Sequence, residues 1–248
     1  MILRFAMAVL AVIAVNASTP VHAAGDPAIR TQTVQFAKGA TSAQLRGSIK
    51  GNSSVDYKVD ARAGQTLSVT MKPSNASSYF NINPPGSEVA MFVGSTNGSE
   101  ATVMLPTDGV YVVRVYLMRN AARRNETSNY TLTVGVTGKA LPPLAASKDA
   151  LIPGTKFHAS AQVACTPPFE TKPQQCEAFV IRRGVDGTAT VEVRGPNSML
   201  RRILFVGGAP VASDATVPLT HSRDGDRTLV KFGADERYDL PDALIRGG

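Results

Sequence analysis

Short runs of alternating apolar and polar residues, separated by turn-forming residues, constrain this chain more than any other feature. Val110 to Leu117 sets valine and leucine against Tyr111, Arg114 and Tyr116 behind a Thr107-Asp108-Gly109 turn. Alternation of this kind is the period of a half-buried strand, so one face is expected inside and the other is expected to carry Tyr111 or Arg114. Val55 to Ala61 and Thr66 to Met71 flank Arg62-Ala63-Gly64-Gln65 and read as a hairpin, with glycine supplying the turn. Roughly eight such segments between Thr31 and Val136, ending at Tyr130–Val136, predict an antiparallel β-sandwich or barrel.

The pattern pauses and then resumes. Lys139-Ala140-Leu141-Pro142-Pro143-Leu144 contains adjacent prolines that exclude helix, so residues 138–150 are expected to form an extended linker. Beyond it, strands are expected over Glu177–Arg183, Gly187–Arg194, Met199–Val206 and Arg227–Phe232, with a short one near Arg237-Tyr238. The predicted architecture is all-β: an N-terminal antiparallel β-sandwich over residues 30–137 and a second, smaller β-rich domain over 151–248. With 43% apolar residues, a packed core is expected and wholesale disorder is not.

The first 23 residues read as an export signal. Arg4 precedes an apolar stretch from Phe5 to Val15, and Val21-His22-Ala23 suits cleavage after Ala23 or Ala24. The stretch is too short to span a bilayer, so no integral membrane segment is expected after its removal. A periplasmic or secreted location follows. In an oxidising compartment Cys165 and Cys176, the sole cysteines, are expected to form a disulfide.

Charge narrows the partners. The chain has a formal net charge of +7, and residues 25–139 carry twelve Lys and Arg against seven Asp and Glu, whereas 140–248 are nearly balanced at thirteen against twelve. The basic residues lack interleaved aromatics, and an exported protein seldom meets nucleic acid, so no nucleic-acid partner is expected. Acidic protein clefts and anionic envelope polymers remain. No enzyme is expected either. His158 and His221 are the histidines beyond the signal, neither is metal-spaced, and no Gly-x-Ser-x-Gly, phosphate loop or dinucleotide fingerprint occurs. Hence no catalytic residue, metal or cofactor is assigned. Asp235-Glu236 beside Arg237 reads as a solvated turn, and Arg182-Arg183 and Arg201-Arg202 as strand pairs with one arginine each on the outer face.

A sequence of blocks in the first half resembles bacterial periplasmic inhibitors of g-type (goose-type) lysozyme: Val34-Gln35-Phe36-Ala37-Lys38-Gly39, Ser42-Ala43, Gly47-Ser48-Ile49-Lys50-Gly51, Asp56-Tyr57 and Ala63-Gly64-Gln65. The likeness continues through Leu105-Pro106, Gly109-Val110-Tyr111, Arg114-Val115 and Arg119-Asn120-Ala121-Ala122-Arg123-Arg124-Asn125 to Tyr130. It covers residues 34 to about 136. The resemblance implies a compact antiparallel sandwich that binds a lysozyme, here a g-type lysozyme, and protects peptidoglycan by blocking the enzyme's active-site cleft. Members of that family are usually one domain of this size, whereas here a linker and a further domain follow.

Tyr116 to Asn129 carries the candidate site. Arg119, Arg123 and Arg124 lie with Asn120, Asn125 and Glu126 in a long polar connection between two strands. A lysozyme cleft is lined by carboxyl groups, and a guanidinium pairs with a carboxylate through two parallel hydrogen bonds. Arginine there would fill substrate space and hold the general acid ionised. Arg119, Asn120, Arg123, Tyr116 and Arg124 are therefore the candidate lysozyme contacts. Two alternatives stand beside this one: the arginines form a solvated loop, or they pair internally with Asp56 and Asp60. Tyr57, Tyr111 and Tyr116 could offer flat contact area, though a tyrosine on an alternating strand more often covers the core or an edge. A further role class is a non-enzymatic envelope module that binds peptidoglycan or another envelope component.

Overall fold

The structure is a computed structural model that describes residues 29–196 and 198–247; the expected export signal lies outside the described residues. The chain runs through β1 (Ile29–Thr33), β2 (Ser42–Lys50), β3 (Ser54–Ala61), β4 (Thr66–Pro73), β5 (Ser78–Asn83), β6 (Phe92–Val93), α1 (Gly94–Asn97), β7 (Glu100–Met104), β8 (Gly109–Leu117), α2 (Arg119–Arg123) and β9 (Thr127–Thr137). After an irregular stretch come β10 (Ala159–Thr166), β11 (Gln174–Arg182), β12 (Ala189–Arg194), β13 (Leu200–Val206), β14 (Ala209–Ser213), β15 (Leu219–Asp224), β16 (Arg227–Phe232), β17 (Glu236–Pro241) and α3 (Asp242–Arg246). The chain is all-β, and none of the described helices is long and apolar enough to cross a membrane.

The first nine strands make two sheets, ordered β1-β3-β8-β5-β6 and β2-β9-β4-β7. Their apolar faces meet in one core, where Val113, Val115, Phe80 and Ile82 oppose Leu67, Val69, Leu132 and Val134. Each such side chain, fully withdrawn from water, stabilises the fold by about 1.5–3 kcal/mol. Tyr57 and Tyr130 come from opposite sheets and share a buried hydroxyl–hydroxyl hydrogen bond of 2.9 Å. Tyr130 reaches it by lying across Gly47 of β2, where an added Cβ would sit 2.5 Å from its ring carbon Cζ. Tyr111 also points inward, fully buried, and its hydroxyl donates to the Thr107 carbonyl at 2.8 Å. The outer face of β8 instead carries Val110, Val112, Arg114 and Tyr116.

Two expectations for this region change. β3 and β4 do not form a hairpin: β3 lies between β1 and β8, and β4 lies between β9 and β7 in the other sheet. Arg62–Gln65 is a corner that carries the chain between layers, fixed by Ala63 N–H to Asp108 Oδ1 at 3.0 Å and Gly64 N–H to the Leu105 carbonyl at 2.9 Å. The apolar faces of the two strands bury across the sandwich rather than side by side. In addition, β1 runs parallel to β3, the one parallel pairing in an otherwise antiparallel set of described strands.

The remaining eight strands form one antiparallel sheet, ordered β14-β13-β12-β11-β10-β17-β16-β15. Its edge strands β14 and β15 are consecutive in the chain, so the sheet curls until its edges approach, giving a near-closed barrel. Val180, Val191, Ile203, Phe205, Val230 and Leu240 fill it, with Leu244 and Ile245 of α3 packed against them. Cys165 and Cys176 are disulfide-bonded and join β10 to β11 inside this core. Strands β10, β14 and β15 have no counterpart among the sequence expectations.

Neither arginine pair is half-exposed: Arg182, Arg183, Arg201 and Arg202 are all buried. Arg201 forks onto Glu236 (2.6 and 3.0 Å) and reaches Asp214 (3.1 Å), Arg202 pairs with Glu192 and Asp214, and Arg182 pairs with Asp149 at 2.9 Å. Glu236 is accordingly a buried ion-pair partner, not part of a solvated turn. Buried charges persist only with partners of this kind.

Residues 138–150 contain no strand or helix, but they are tied down. Leu141 packs with Ala63 of the sandwich and Leu204 and Ala212 of the barrel, and its N–H donates to the Ala63 carbonyl at 2.9 Å. The barrel therefore rests on the sandwich at the turn that leads into β8. Thr190 Oγ1 donates to the Pro106 carbonyl at 2.7 Å, and Arg183 pairs with Asp108 at 2.9 Å.

Candidate functional site

β8 runs away from the barrel. Its nine residues cover about 30 Å at roughly 3.3 Å per residue, and at the far end the chain turns through Met118 into α2 before returning as β9. The expected irregular polar connection is thus a single helical turn. It forms because Ala121 and Ala122 are buried, at 0% and 6% exposure, and anchor the segment from beneath. The Met118 N–H donates to the Ser77 carbonyl (2.9 Å), and the Asn125 and Glu126 N–H groups close onto Ala122 and Ala121 (2.9 and 3.2 Å).

Asn125 ends the turn in the left-handed region, φ 55°, a conformation asparagine tolerates better than most residues. Beneath it sits Gly51, also left-handed at φ 58°, where a Cβ would come within 2.7 Å of Asn125 Oδ1. The Gly51 N–H donates to the Glu126 carbonyl at 3.0 Å. The turn between β2 and β3 is thereby locked under the arginine segment.

The five candidate contacts divide by environment. Arg119 and Arg123 stand on the exposed side of α2 at i and i+4, and neither has an ion-pair partner among the described residues. Like charges at that spacing disfavour the helical turn by about 0.2–0.5 kcal/mol. Arg124 Nε lies 2.6 Å from Glu126 Oε1, while Glu126 Oε2 accepts from Asn75 Nδ2 at 2.8 Å. The hydrogen bond from Asn75, then Arg124, holds the Glu126 carboxyl below the usual carboxylate range. Asn120 Oδ1 accepts the Ala121 N–H at 2.8 Å. Tyr116 is half-buried opposite Tyr79, and its hydroxyl donates to Asn81 Oδ1 at 3.1 Å.

Internal pairing with Asp56 and Asp60 does not occur. Asp56 takes both Nε and Nη2 of Arg114 at 2.7 and 2.8 Å, which raises the Arg114 pKa, and Asp60 takes Arg62 at 2.8 Å. Both carboxylates are thus engaged by other arginines. What remains at the far end of the sandwich is a turn presenting two guanidinium groups that have no ion-pair partner among the described residues. Tyr57 and Tyr111 are core residues and offer no contact surface.

One cluster escapes the sequence reading: Arg201, Asp214 and Glu236 line a cleft between sandwich and barrel together with Phe169. The sequence marked these stretches by the doubled Arg201-Arg202, the Asp235-Glu236 pair and the adjacent prolines Pro167-Pro168, and nothing in it joined them.

Comparison with known proteins gives three findings. The sequence is 32% identical over 106 residues to the inhibitor of g-type lysozyme of Escherichia coli K12, covering 78% of that protein and 42% of this chain. It is 34% identical to PliG of Aeromonas hydrophila, a periplasmic lysozyme inhibitor of g-type lysozyme, covering all of that chain and 45% of this one, with a TM-score of 0.41. Against PliG of Salmonella Typhimurium, described in the same words, identity is 30%, coverage 98% and 44%, and TM-score 0.35. No family model matches the sequence.

Proposed function

Because this chain belongs to the family of inhibitors of g-type lysozyme, we propose that its sandwich binds a g-type lysozyme and stops it from cutting peptidoglycan by occupying the active-site cleft. The protein acts in the periplasm and is not an enzyme. In this reading residues 30–137 are the inhibitory domain and the barrel is a second domain.

One observation carries the blocking mechanism: Arg119 and Arg123 are held exposed, with no ion-pair partner among the described residues, on a turn whose backbone is pinned by buried alanines. A glycosidase cleaves with carboxyl groups set in a groove shaped for sugar. A guanidinium entering that groove forms a forked, charge-assisted pair with a carboxylate. The general acid is then held ionised, unable to give its proton to the leaving oxygen, and the sugar is displaced. Pre-ordering of the turn lowers the entropy lost on docking. Arg124, shared with Glu126, orients the turn from the side, and Asn120 and Tyr116 border it.

The test is a turbidity assay of wall lysis. The purified chain is expected to slow a g-type lysozyme and leave a c-type enzyme largely untouched. Absence of slowing at micromolar protein, with sedimentation of the chain on purified peptidoglycan, would favour an envelope-binding module instead.

A further inference from the structure

At the end of the sandwich away from the arginine turn, a cleft of about 670 Å³ opens against the mouth of the barrel. Its walls are largely apolar, with Val89 from the sandwich, Met199 just before β13, Leu200 from β13, and Val217 from the connection between β14 and β15. Three of its lining groups are charged and buried. Arg201 is forked onto Glu236 and bonded to Asp214; Glu236 also accepts from the Tyr238 hydroxyl at 2.8 Å, and Asp214 from the Arg202 N–H at 2.9 Å. This floor is fully engaged internally, so its one guanidinium has no fork left for an anion.

The rim is different. Glu88 and Glu170 also line the cleft, and neither has an ion-pair partner among the described residues. Phe169, in the loop closed by the disulfide, lines it as well and is otherwise fully exposed. The cleft thus gathers four carboxylates and one guanidinium on a chain of formal charge +7. A volume of this size suits a small organic molecule, and an aromatic face beside carboxylates suits a cation.

We propose that this cleft binds a small organic cation with an apolar body, of the aryl- or alkylamine class. The apolar portion lies against Met199, Leu200 and Val217, and the ammonium group sits at the rim between Glu88, Glu170 and Phe169. An anion of the same shape meets two unpaired carboxylates and an arginine already committed twice.

The experiment uses the exported full chain and three fluorescent probes with one aromatic body: dansylcadaverine (cationic), dansylamide (neutral) and dansylglycine (anionic). Dansylcadaverine is expected to bind saturably with a Kd of roughly 10–100 µM, to weaken in high salt, and to outcompete the other two. Glu88→Gln with Glu170→Gln should raise that Kd about tenfold, and Phe169→Ala about fivefold. These side chains are not part of either core, so the variants should melt with the parent. Equal or tighter binding of dansylglycine, no saturable binding of the amine, or affinity unchanged when Glu88→Gln, Glu170→Gln and Phe169→Ala are combined would each overturn the proposal. Inhibition of a g-type lysozyme, measured on the same variants, should be unchanged, which separates this cleft from the inhibitory site.

Discussion

Arg183 of the barrel pairs with Asp108 of the sandwich at 2.9 Å, its side chain entirely withdrawn from solvent. Its guanidinium also donates to the Leu141 carbonyl and to Thr190 Oγ1, while Nη2 is buried with no partner. Burial pushes the Arg183 pKa down and Asp108 works against that shift. Asp108 meanwhile accepts the Ala63 N–H at the corner between the two sandwich sheets. One carboxylate therefore joins the layer-crossing corner, the linker and the barrel.

Asp108→Asn should destabilise the chain by about 3–5 kcal/mol, because it leaves a buried cation without its counterion. Urea unfolding of parent and variant checks this. An unchanged midpoint would mean that the guanidinium is neutralised some other way.

Arg119→Ala with Arg123→Ala should weaken inhibition of a g-type lysozyme by about ten- to a hundredfold, the range of losing an interface hot spot. Melting should stay within about 0.5 kcal/mol of the parent, since exposed charges contribute little to the fold. Full inhibition by a double variant of unchanged stability would remove the turn from the contact surface.

Gly47→Ala tests the packing of the two buried tyrosines. The new Cβ would collide with the Tyr130 ring, which is buried and hydrogen-bonded to Tyr57, so the ring can move aside only by giving up that bond. Overpacking of this kind costs about 1–3 kcal/mol. Thermal unfolding should show the loss, and Gly47→Ala combined with Tyr130→Phe should recover little of it, because the ring carbons collide as well.

Alkali should unfold the chain through its buried phenols. Burial raises the pKa values of Tyr111, Tyr130 and Tyr238, assisted in Tyr130 by the hydrogen bond with Tyr57 and in Tyr238 by the Glu236 carboxylate. The folded values lie above the unfolded one, so this stability is complete below about pH 10 and is lost as pH rises beyond it. Each phenol still protonated in the fold lowers stability by about 1.4 kcal/mol per further pH unit. Melts from pH 8 to 11, with phenolate absorbance followed in parallel, should show these three ionising only as the fold is lost. Their ionisation near pH 10 in a folded chain would contradict this.

Much of this architecture was legible in the sequence because alternation reports which residues share a face. Val113, Val115 and Leu117 of β8 fall inside as their spacing predicts. Alternation does not report which strand lies beside which, and so Arg62–Gln65 read as a hairpin although its two strands belong to different layers. The alternation left Tyr111 or Arg114 for the outer face; the structure puts Arg114 there and Tyr111 in the core, where a single carbonyl four residues upstream satisfies its hydroxyl. Arg201 and Arg202 read as half-exposed because their counterions, Glu192, Asp214 and Glu236, are distant along the chain. At the candidate site the charges were legible, and the helical turn was not: it depends on Ala121 and Ala122 finding a core that only the closed sandwich provides.

The nine residues of β8 act as a ruler. With the barrel joined at Asp108 and the guanidinium pair of α2 beyond Leu117, the two poles of the sandwich are held apart by more than the width of a small side-chain network. A macromolecule seated at one pole and a small amine seated at the other would not compete for space, so occupancy of either site would leave the other open.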